Sequence, residues 1–239
     1  MKNTVTKKPP TEALREILRP GYQAFKAYWR LFLSIQVVAA VFVIAYYQFS
    51  SVRSAVGWLR ELQSSGGLWF AAATNILSGA IIPELAKLKF RAAVEKPITW
   101  GDFAFRCLLM ALSGVMVFYF YLLQDHLFGS GIDALTLLKK ILFDQLAFAP
   151  LVAIPFIVGM FILHENKYSW VNIRQNVTLQ NYKSRILSLW ATALSFWPVM
   201  LIVIYAMPAD MQFILFLFAN AAFCLVMMLV ASNGWSEEA

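Results

Sequence analysis

Residues Lys139 to Pro155 read KKILFDQLAFAPLVAIP. After the two lysines the stretch is apolar enough to lie in a bilayer, yet Asp144 and Gln145 stand about one turn inside it, followed by Pro150 and Pro155. A carboxylate and two residues without a backbone N–H are all costly in hydrocarbon. Such a segment has to be enclosed by other helices, so it predicts a helical bundle. The apolar run around it extends from about Leu135 to Leu163, too long for one straight span along the membrane normal. Tilt, kinks or an exposed first turn are therefore expected.

The rest of the chain has the composition that enclosure requires. Of 239 residues, 60% are hydrophobic and only 14% are charged, far too few charges to cover a soluble domain of this length. The class expected is an all-α integral membrane bundle, and the long continuous apolar runs argue against a transmembrane barrel. The net charge of +7 lies mainly in the loops, where it sets topology; nucleic-acid binding is not expected. Cys107 and Cys224 fall inside apolar runs and read as small buried hydrophobes. His126 and His164 alone make no metal set, so neither metal nor cofactor is expected. No secretory signal is expected either, because the first apolar run begins near Ala27 and is long enough to span.

Six spans are expected. Residues 1–26 form an N-terminal segment with a short amphipathic helix over Thr11 to Leu18. Residues 27–67 hold a first span, about Ala27 to Gln48, and an interfacial segment with Val52, Val56, Leu59 and Leu62 at helical spacing, ended by Ser64-Ser65-Gly66-Gly67. Residues 68–232 hold the main bundle, with spans at about Leu68–Leu88, Phe105–Leu127, Leu135–Leu163, Ile186–Met207 and Gln212–Ser232. A short tail, 233–239, follows. In the polar loop 164–185, Trp170, Ile173 and Val177 are spaced to seat a short interfacial helix. Lysines and arginines concentrate before the first span, after the second and after the fourth, which places both termini on the positive, cytoplasmic or matrix-like side. The sequon Asn176-Val177-Thr178 then falls on that side too, where no glycosylation is expected.

Few residues inside the spans carry chemistry. Ala71, Asn75, Gly79 and Pro83 recur every four residues, a stripe that suits close helix packing; the alternative is that Asn75 and Glu84 face an aqueous path. Arg106 lies four residues after Asp102, the spacing of a helical ion pair. Lys140 stands in the same relation to Asp144, so Asp144 either anchors a helix end through Lys140 or lines a hydrated vestibule with Gln145. Lys139 and Lys140 would attract anions to such a mouth. Asn220 is the one strongly polar residue inside the last span. Pro83, Pro150, Pro155 and Pro198 are the candidate kinks; at α-helical spacing Pro150 and Pro155 free the carbonyls of Leu146 and Leu151. There is no HExxH, GxSxG, phosphate loop or CxxC, so no enzyme is expected.

Lys139-Lys140, Asp144-Gln145 and Phe148-Ala149-Pro150 together resemble the KK-x-x-x-DQ-x-x-FAP signature of the Mpv/PMP family of small multi-pass membrane proteins. Trp197-Pro198 and Pro208 resemble its later WP segment and proline, and Arg106, Gly114 and Tyr121 stand where it has an Arg, a Gly and an aromatic. The resemblance covers about residues 68–232. It departs at the family's Gly-Asp pair, at the Asn-Phe after WP, at the Arg after the later proline and at the Trp of the last span, and the first span is additional. The chain thus resembles a divergent member. The resemblance implies a non-enzymatic protein of the mitochondrial inner or peroxisomal membrane, acting as a weakly selective channel for small solutes; a bacterial plasma membrane is also an expected location, and the pore is expected to form alone or as a homo-oligomer. The alternative function is a non-conducting scaffold or assembly subunit.

Overall fold

Local sequence sets where each helix starts, stops and changes register. The computed structural model describes residues 33, 37–38, 40–85, 98–129, 131, 133–205 and 214–224. The expected N-terminal segment 1–26, the start of the first span, residues 86–97 of the basic loop, the turn at Pro208-Ala209-Asp210 and the chain from 225 onward lie outside the described residues. Helix α1 is described over 40–48. Phe49, in extended conformation, separates it from α2, Ser50–Leu85. Helix α3 is Trp100–Phe128, α4 is Ala134–Glu165, α5 is Trp170–Asn176, α6 is Leu179–Tyr205 and α7 is Ile214–Cys224. Among the described residues there is no strand.

Four of these helices, α2, α3, α4 and α6, are long and apolar enough to cross a membrane. Their outer faces are apolar as well: Leu108, Leu112 and Leu122 on α3, Leu146 and Leu151 on α4, and Val199 and Ile202 on α6 are all exposed. Such faces suit lipid as a solvent. The architecture is that of a helical membrane bundle.

Helix starts follow from caps. Thr99 and Asp102 form a reciprocal capping box at the head of α3, with the Asp102 N–H donating to Thr99 Oγ1 at 3.1 Å and Thr99 Oγ1 lying 2.7 Å from Asp102 Oδ2. Such a box satisfies two otherwise unpaired donors. Asp133 caps α4 by accepting the Thr136 N–H at 3.0 Å. Hydrogen bonds from the Thr136 side chain and backbone hold its exposed carboxyl below the usual carboxylate range. Ser169 caps α5, the short helix expected around Trp170 and Ile173.

The expected interfacial segment at 50–67 is continuous with the second span. Ser64 and Ser65 return their hydroxyls to the Glu61 carbonyl at 2.9 and 2.8 Å and stay helical. The break is confined to Gly67, at φ 47° and ψ −120°, a conformation open to glycine and strained for any residue with a Cβ.

The helices pack as antiparallel neighbours. Glu84 of α2 pairs with Arg106 near the start of α3, and Gly114 at mid-helix lies against Ala71 and Asn75. A Cβ on Gly114 would stand 2.5 Å from the Ala71 carbonyl oxygen, so glycine is what lets these two helices close, as the small-residue stripe on α2 predicts. On the other side of α3, Phe120 stacks on Phe148 with centroids 3.7 Å apart, and Phe105 stacks on His164 at 4.0 Å. Helices α4 and α6 share a core of Ala149, Ile154, Val158, Ile162, Leu189 and Ala193. A second core joins Tyr46, Val56, Ile204, Ile214, Leu215 and Ala219.

Candidate functional site

Two of the expected kink prolines sit at or just beyond stretches where the helix widens from an i→i+4 to an i→i+5 ladder. In α2 the π segment is Leu77–Ile81, and the Ile82 N–H bonds to the Leu77 carbonyl, immediately before the buried Pro83. In α4 the π segment is Asp144–Ala153 and contains Pro150, and the Ile154 N–H bonds to the Ala149 carbonyl. Wide turns of this kind collect at functional sites.

The widening changes which backbone groups are released. α-Helical spacing assigns the loss at Pro150 to the carbonyl of Leu146. In the observed register it falls on Gln145, and that carbonyl accepts the indole N–H of Trp190 at 2.8 Å. Pro155 lies inside α4 just past the π segment, with helical backbone on the residues before it. Its own carbonyl accepts the Tyr182 hydroxyl at 3.2 Å. Pro198 lies inside α6, next to Trp197, which stacks on Phe216 of α7 at 5.6 Å.

A cavity of about 170 Å³ lies between α2, α3, α4, α6 and α7. Asn75, Arg106, Asp144, Gln145 and Asn220, five of the residues singled out in the sequence, all line it. The remaining walls are mainly apolar and aromatic, with Phe120, Phe148, Phe161, Trp197 and Phe223 prominent. A wider vestibule of about 670 Å³ lies beside it, bordered by Arg60, Gln63, Ser64, Thr74, Gln124, Asp125 and Lys140. Asn75, Val117, Tyr121, Leu201 and Phe216 line both spaces. The two volumes therefore adjoin.

Polar groups around the inner cavity differ in how they are satisfied. Asn220 Nδ2 donates to Ser78 Oγ at 2.8 Å, and Asn75 Nδ2 to the Ala71 carbonyl at 3.0 Å. Arg106 pairs with Glu84, which brings Glu84 to the site through its partner. By contrast, Ser113 Oγ and Gln145 Oε1 are buried with no hydrogen-bond partner among the described residues. Ser113 lines the cavity too. Among the described residues no cation pairs with Asp144.

Two expected contacts are replaced. Lys140 does not meet Asp144; its Nζ lies 2.5 Å from Asp125 Oδ1 on α3, and its carbonyl accepts Gln124 Nε2 at 2.9 Å. Asp125 sits on the exposed end of α3, where a charge pair keeps its access to water, whereas Asp144 sits at the cavity. This pair also neutralises Lys140 as an anion attractor at the vestibule; Lys139 is exposed. Asp102, four residues before Arg106, is taken up by Thr99 and by His164 Nε2 at 2.8 Å. Arg185 and Glu165 add a further pair at 2.8 Å near the same end of the bundle.

Ser113, Trp190 and Asp125 were not legible as site residues. Thr99-x-x-Asp102 carried a visible capping signature. The other three depend on which helices become neighbours, and nothing in their local sequence states that. Compared with protein-family models, curated proteins and solved structures, the chain matches none.

Proposed function

We propose that this protein is a six-span membrane protein of the Mpv/PMP type that forms a weakly selective pore for small solutes, in one chain or as a homo-oligomer. The described parts of α1 and α7 belong to the first and last spans, and both termini lie on the positive side of a bacterial plasma, mitochondrial inner or peroxisomal membrane. The protein is not an enzyme in this reading.

One observation carries the proposal. Two cavities adjoin within the bundle, and the polar residues of four different helices meet at the inner one. A carboxylate and an amide inside a span are expensive unless they are paired or hydrated. Asp144 and Gln145 of α4 are the groups that would bias which solutes pass. Tyr121, Val117, Leu201 and Phe216, common to both spaces, are where the path would narrow. A narrow apolar and aromatic collar gates by excluding water.

The scaffold alternative draws on different bonds. Asn220 with Ser78 and Arg106 with Glu84 are polar groups satisfied by helix partners, which is what a non-conducting assembly subunit requires. Purified protein in liposomes loaded with small labelled solutes separates the two readings. Release of solutes below a size cut-off, slowed by bulky substitution at Leu201, supports the pore. Liposomes that stay sealed to every solute support the scaffold.

A further inference from the structure

Most buried polar side chains in a bundle find partners, since leaving an acceptor unpaired in the interior costs about 1–3 kcal/mol. Here two exceptions line one cavity. Gln145 is 5% exposed and Ser113 is 9% exposed, and neither side-chain oxygen has a partner among the described residues. Asp144, which lines the same cavity, is in no ion pair among the described residues. The Arg106 charge that also reaches the cavity is already opposed by Glu84.

The group this combination suits can be stated chemically. A carboxylate, an amide oxygen and a hydroxyl are all acceptors. A protonated amine presents three N–H donors and one positive charge, which answers all three. The walls beyond are aromatic, with Phe120, Phe148 and Trp197, and ring faces attract cations. The volume sets the size: a protein cavity of about 150 Å³ takes benzene, and this one is about 170 Å³. We infer that the inner cavity is a binding site for a small organic ammonium with an apolar body of about benzene size, its N–H groups held by Asp144, Gln145 and Ser113. As a statement about solute class this rests on the pore reading; as a binding site it stands without conduction.

The test is calorimetric titration of the full chain in nanodiscs, with empty nanodiscs subtracted, using three probes of similar shape: benzylamine, benzyl alcohol and benzoate. Benzylamine, protonated at neutral pH, is expected to bind about tenfold or more tighter than benzyl alcohol, the ratio a charge-assisted hydrogen bond supplies. Benzoate is expected not to bind. Asp144→Asn should reduce benzylamine to the level of benzyl alcohol, with an unchanged far-ultraviolet circular dichroism spectrum reporting that the variant is folded. Ser113→Ala should weaken benzylamine about threefold. Equal binding of the three probes by the wild type, a preference for benzoate, or an ammonium preference that survives Asp144→Asn would each overturn the site. Binding with this pattern in a protein whose liposomes stay sealed would uphold the site and remove the pore.

Discussion

Gly114 and Ser113 are neighbours on α3, yet they face different surroundings. Gly114 closes on α2 so tightly that a Cβ would strike the Ala71 carbonyl oxygen at 2.5 Å. Along that seam polar groups are satisfied by backbone of their own helix, Thr74 by the Phe70 carbonyl at 2.7 Å and Asn75 by the Ala71 carbonyl at 3.0 Å. Ser113, one residue away, turns to the cavity, where its hydroxyl and the Gln145 amide oxygen find no partner among the described residues. A small or polar residue in a span is therefore packing material where two regular helices touch. The same residue types line the inner cavity where α3 faces the π segment of α4.

Substitutions at the seam and at the cavity should therefore differ in what they cost. The largest effect is expected from Gly114→Leu, which cannot enter the α2–α3 contact without separating the helices. A loss of about 3 kcal/mol or more in denaturant unfolding from detergent is expected, and unchanged stability would mean the seam is not closed. Gly67→Ala comes next. Its φ of 47° is strained for any L side chain, for a loss of about 2 kcal/mol in the same assay. Trp190→Phe keeps the ring but removes the N–H held by the Gln145 carbonyl, and about 1–2 kcal/mol should follow. The smallest effect belongs to the cavity. Ser113→Ala removes a hydroxyl that has no partner among the described residues, so in ligand-free protein stability should stay level or rise by up to about 1 kcal/mol. A loss of the size seen for Trp190→Phe would show that Ser113 Oγ is satisfied after all and that the two regions do not differ.

Much of this arrangement was readable in the sequence because membrane solvent leaves few options. Apolar runs from Leu68 and from Phe105 onward had to be helices, since backbone in lipid must bond internally. The stripe of Ala71, Asn75 and Gly79 announced a close contact. Asp144 and Gln145 could be singled out by their cost in hydrocarbon, and both line the cavity. What could not be read was register and neighbourhood. The π turn at Asp144 moves the released carbonyl from Leu146 to Gln145, and local composition does not encode a change from four-residue to five-residue bonding. Nor does it say that Lys140 will find Asp125 across a helix pair when Asp144 stands four residues away on its own helix. The continuity of α2 through Ser64 and Ser65 is not encoded locally, because serine and glycine clusters usually end a helix; here the serine hydroxyls bond back to Glu61 and leave only Gly67 to turn.

Reversal potentials in planar bilayers, measured under a salt gradient for the wild type and for Asp144→Asn, report whether a path lined by Asp144 conducts. If a path through the inner cavity conducts and Asp144 biases it, the wild type shows a conductance that favours cations and the variant shows a reversal potential moved toward zero. A membrane that stays silent with the wild type, or identical reversal potentials for the two proteins, would contradict the account.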